Sequence, residues 1–139
     1  MKKIFTLLKQ YLLTLMTLVL ILCLTFYKPT GLEQTNTLAN IDKAVHFLMY
    51  ATLCMVFWFE SFKVDLNPNM WWMVLSAVVV PIAFGGLMEY LQSALTNYRT
   101  SELGDFIFNS TGVIFAALFS LGVTRPLMRR KKHRRNYGR

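Results

Sequence analysis

Apolar residues arrive in four long runs rather than in alternating stripes: Gln10 to Tyr27, Ala44 to Phe59, Leu66 to Met88 and Phe106 to Thr124, none of which contains Asp, Glu, Lys or Arg. A helix needs about 20 apolar residues to cross a bilayer core. Each run therefore reads as a transmembrane helix. The second is the shortest; counting Lys43 and His46 as snorkelling or site residues extends it toward Phe62 and permits a tilted crossing. The predicted fold is all-α, a polytopic membrane protein built as a bundle of four transmembrane helices over residues 1–124, followed by a basic tail at 125–139.

Composition agrees with this pattern. The chain has 139 residues and is 55% hydrophobic, with a positive mean hydropathy, which argues against a large soluble enzyme. No small-x-small cleavage pattern closely follows the first run, and Leu22 precedes Cys23 where a lipoprotein signal would have a small residue, so the first run is expected to be retained. Cys23 and Cys54 fall inside spans and are expected to pack as small apolar groups.

Charge sets the topology. Positive residues are retained on the cytoplasmic side of short loops. Twelve of the 15 Lys and Arg residues precede span one, lie between spans two and three or follow span four, against only Lys28, Lys43 and Arg99 on the other side. Both termini are thus expected in the cytoplasm, as an even number of spans requires. The tail reads chiefly as a topology anchor that could also meet anionic lipid. It has neither interleaved aromatics nor a nucleic-acid-binding fold signature, so no nucleic-acid partner is expected.

In that topology the outer ends of spans two, three and four cluster, and each carries a polar stripe at helical spacing. Asp42, His46 and Tyr50 are spaced i, i+4, i+8; Gly85, Glu89 and Gln92 are spaced i, i+4, i+7; Asp105, Asn109 and Gly112 repeat the second spacing. At about 1.5 Å rise per residue, Glu89 sits roughly 9 Å below the helix end at Leu95 and His46 about 6 Å inside Asp42. A lone carboxylate at that depth is costly, so Glu89 should be protonated, hydrogen-bonded or ion-paired, with Arg99 the obvious cation. Pro81 should bend span three and re-aim Glu89, or serve as a packing kink.

Each residue has a plainer reading. Asp42 and Asp105 suit helix first turns, His46 and Tyr50 could be satisfied interfacial residues, and Trp71 and Trp72 fit an interfacial belt. Asn109-Ser110-Thr111 matches a glycosylation acceptor but lies inside a span. Independent caps do not explain why Glu89, Gln92 and Asn109 all fall on facing helices, which favours a site.

These residues also form a family pattern. Asp42-Lys43-Ala44-Val45-His46-Phe47-Leu48-Met49-Tyr50, then Glu89-Tyr90-Leu91-Gln92, then Arg99 with Asp105, Asn109 and Gly112, resembles the VanZ-like family of small bacterial membrane proteins over about residues 40–115. The chain has Asn97-Tyr98 where members often have Pro-Gly before the arginine. The resemblance implies a four-helix protein of the bacterial inner membrane with a cell-envelope role, some relatives being associated with teicoplanin resistance. It does not specify a reaction.

The leading expectation is a pocket at the outer leaflet for a lipid or envelope molecule with an anionic head group, partners including membrane lipids and an envelope precursor or glycopeptide. Arg99 would hold the anion, with Asp42, Tyr50, Gln92, Asp105 and Asn109 around it. The alternative is an intramembrane enzyme with His46 or Glu89 as catalytic acid or base, for which no activated nucleophile is evident. Asp42 and His46 with Glu89 or Asp105 could form a metal shell, but one histidine among carboxylates does not specify one, so neither metal nor cofactor is expected. A structural protein whose stripes merely knit helices together is the third class. A transporter is disfavoured by the lack of paired broken helices or repeats.

Overall fold

The computed structural model describes residues 2–25, 36–95 and 103–137, and every element among them is helical. The elements are α1 (Lys2–Gln10), α2 (Leu12–Thr25), α3 (Asn36–Val64), α4 (Met70–Val74), α5 (Val80–Leu95), α6 (Leu103–Phe119) and α7 (Arg125–Tyr137). Leu75–Val79 joins α4 to α5 and Ser120–Thr124 joins α6 to α7 as π-helical turns, so each of these two rods is continuous.

Among the described residues, three helices are long and apolar enough to cross a membrane: Ile41–Val64, Met70–Leu95 and Leu103–Arg135. Their outer surface suits that role. Leu48, Val79, Leu87 and Leu118 are all well exposed, a distribution that water penalises and lipid accepts. The expected first span is different. It breaks at Tyr11, leaving the apolar helix Leu12–Thr25 with 14 residues, or about 21 Å at 1.5 Å per residue.

Helix α3 is central, packing along α6 and against α2, while α5 packs on α6. The core continues the stripe that carries Asp42 and His46: Tyr50, Cys54, Trp58 and Phe62 recur every four residues along α3 and meet Met73, Ala77, Val113 and Ala116. Gly112 sets the closest approach, because a Cβ there would lie 2.4 Å from the Phe47 carbonyl oxygen and 3.1 Å from the Ala51 nitrogen. Only a bare Cα lets α6 reach the α3 backbone.

The π turns precede prolines for a physical reason. A proline donates no hydrogen bond and crowds the carbonyl four residues back, so the chain widens by one residue. Val80 accordingly bonds the Leu75 carbonyl just before Pro81, and Arg125 bonds the Ser120 carbonyl just before Pro126.

Polar contacts mark one end of the bundle. Arg125 donates to the Leu66 carbonyl at 3.1 Å and lies over the Phe62 ring, while Arg129 donates to Asn67 Oδ1. Asn69 caps α4 by accepting from the Trp71 amide. Tyr11 stacks on Phe57 with ring centroids 5.5 Å apart. The starts of α2 and α7 and the 65–69 loop therefore lie toward the same end, with Asp42, Glu89 and Asp105 toward the other.

Candidate functional site

At that other end, α3, α5 and α6 each place one side chain into a shared buried cluster. His46 comes from α3, Glu89 from α5 and Asn109 from α6, and none exceeds 4% exposure. The Asn109 amide nitrogen donates to Glu89 Oε1 at 3.3 Å, which turns Asn109 Oδ1 toward His46 Nδ1, 3.1 Å away. Glu89 Oε1 also lies 3.5 Å from the same nitrogen. Both neighbours of Nδ1 are acceptors, so Nδ1 carries a proton and donates.

The other face of the imidazole meets carboxylates. His46 Nε2 is 4.0 Å from Asp42 Oδ1, one turn back on α3. Asp105, buried in the first turn of α6, completes a group in which one ligand atom each from Asp42, His46 and Asp105 lies within 4.8 Å of the others. Lys43 approaches the same corner: its Cε would be 2.8 Å from a Cβ on Gly104.

Tyr50 lies one turn inward of His46, with its ring edge 3.4 Å from where a Gly85 Cβ would stand. Its hydroxyl is buried without a hydrogen-bond partner. It is close enough to Glu89 for the two groups to interact electrostatically. Phe84 covers the outer side of the ring, with centroids 6.5 Å apart. Beyond Phe84 an apolar groove of about 180 Å³ opens between α2, α3 and the turn of helix around Pro81, lined by Leu18, Leu53, Phe57, Ala77 and Val80.

The structure thus brings together Asp42, His46, Tyr50, Glu89, Asp105 and Asn109. Residue 92 falls on α5, one turn beyond Glu89, but the Gln92 side chain and Arg99 lie outside the described residues. Trp71 and Trp72 are exposed near the opposite end, where a belt was expected.

Sequence reasoning missed Glu60. Its carboxylate is buried in α3 and accepts from the Leu13 and Thr14 amides, both at 3.0 Å, and from the Thr14 hydroxyl at 2.7 Å. Those amides begin α2, whose exposed donors favour a carboxylate. The available signal was a lone acid close to the end of an apolar helix, which demands a partner. The partner's identity depends on a helix break that no periodicity reveals. The chain matches no family model, no curated protein and no solved structure.

Proposed function

We propose that this chain is a VanZ-like protein of the bacterial inner membrane, with four spans and cytoplasmic termini, that binds a lipid or cell-envelope molecule with an anionic head group at its outer-leaflet end. One observation carries the reading: a buried, hydrogen-bonded His46–Asn109–Glu89 cluster drawn from three helices, within segments apolar enough to span a membrane. Polar groups at such depth are costly and mark function more often than packing. The orphan Tyr50 hydroxyl supplies a donor for a ligand oxygen. The groove beyond Phe84 offers an acyl chain a seat, and the Phe84 ring that lines it packs against Tyr50.

In this reading Arg99 pairs with the anion as a two-pronged donor, while His46 and Glu89 orient the head group. Effects on glycopeptide susceptibility would follow from holding an envelope molecule. Native mass spectrometry of the detergent-extracted chain should find a co-purified lipid that is lost in Arg99→Ala and reduced in Glu89→Gln. Unchanged adducts together with an unchanged envelope phenotype would overturn the proposal.

A second reading is favoured by the histidine's surroundings. With Nδ1 held by Asn109 and Nε2 turned toward Asp42, His46 has the orientation of a general base. Incubating purified protein with envelope lipids and finding a product that His46→Gln fails to make would select this alternative.

A further inference from the structure

We propose that Asp42, His46 and Asp105 bind a divalent transition-metal cation, Zn²⁺ being the natural probe, with Asn109 and Glu89 as the residues that position the histidine. The ligand types are right for such an ion, one imidazole nitrogen and two carboxylates. They come from two helices and converge: one ligand atom from each lies within 4.8 Å of the others. Ligands of a tetrahedral zinc stand about 3.4 Å apart, given bond lengths near 2.1 Å. The set must therefore contract by about an ångström on binding.

Three further observations agree. With Nδ1 engaged by Asn109 Oδ1, the nitrogen left to offer a lone pair to a metal is Nε2, which faces Asp42. A hydrogen-bonded partner on the far nitrogen is the arrangement that orients metal-binding histidines generally. Asn109 is itself fixed by Glu89, so the orientation is set from α5, an element that donates no ligand. Finally, Tyr50 buries a partnerless hydroxyl one turn inward, within electrostatic range of Glu89. A water or ligand oxygen brought by the cation would give it an acceptor.

Charge frames the alternatives. Two carboxylates and an imidazole lone pair suit a cation, and a metal, a proton on His46 Nε2 and the Lys43 ammonium, whose chain packs against Gly104 at this corner, are candidates for it. The metal is the candidate that uses all three groups as direct ligands.

The experiment uses the full chain purified in detergent, stripped with chelator and titrated with Zn²⁺ in the absence of added lipid. The site is thereby tested separately from head-group binding. Calorimetry and elemental analysis should both give one equivalent per chain. Asp105→Asn, which keeps shape and hydrogen-bonding capacity, should weaken binding at least tenfold, as should Asp42→Asn. Glu89→Gln should weaken it less than either, and Lys43→Met should strengthen it by removing a competing cation. A chain that binds no stoichiometric zinc, or whose binding is indifferent to both aspartate substitutions, overturns the proposal. So does a ¹⁵N spectrum in which the His46 ring is a full imidazolium unaffected by added metal.

Discussion

Asn109 shows how much one residue settles. Its amide is the only neutral group bridging His46 and Glu89 among the described residues, with one end donating and the other accepting. Asn109→Leu retains bulk but removes the amide that His46 and Glu89 both bond, at a cost of about 1–3 kcal/mol. A lowered unfolding temperature in detergent is expected, with a changed ring spectrum for His46. Asn109→Asp should be worse, placing a second acid beside Glu89. Glycines make a complementary series. Gly112→Ala must push α6 off the α3 backbone and should cost about 1–3 kcal/mol as overpacking. Gly122→Ala meets nothing within 4 Å and should leave thermal stability unchanged or raised. The helical spacing of Asp42, His46, Glu89 and Asn109 made their convergence legible. The intolerance at Gly112 was only partly so, because spacing indicates which face is small but not how near the opposing carbonyl comes.

At the scale of elements, the apolar runs located the three long rods but misjudged how they end. Span three was placed from Leu66, yet Asn69 begins α4 by capping it. Span four was ended at Thr124, and the rod instead runs on through the π turn into α7. Neither π turn leaves a trace in hydropathy, because an inserted residue among Val, Leu and Ala looks like any other. Glu60 governs the largest departure, the break at Tyr11. Glu60→Gln keeps one acceptor oxygen and should lose modest stability. Glu60→Ala leaves the Leu13 and Thr14 amides without their carboxylate and should lose about 1.5–3 kcal/mol. Thermal unfolding of the two variants side by side measures the difference. A second consequence is structural: in Glu60→Ala the amides can return to their own helix. Spin labels flanking Tyr11 should then report a changed separation between α1 and α2.

For the whole molecule, the basic residues of α7 and the 65–69 loop lie together because Arg125 and Arg129 bond that loop directly. Reporter fusions after residue 66 and at the C-terminus should therefore report the same side of the membrane, and one after residue 97 the opposite side. A cytoplasmic reading at all three positions would break the proposed topology. The bundle's class and its polar end were readable from where charge is missing and where it returns. Which three groups share the imidazole was not, since it requires the relative rotation of α3, α5 and α6. The clasp on α2 also bears on the order of assembly. The ribosome makes Leu13 and Thr14 before Glu60, and in lipid an amide without an acceptor is unfavourable. If the N-terminal segment enters the bilayer ahead of α3, as the proposed topology requires, its amides bond within an unbroken helix until Glu60 arrives to take two of them. The interruption at Tyr11 would then form late, set by a residue nearly 50 positions downstream.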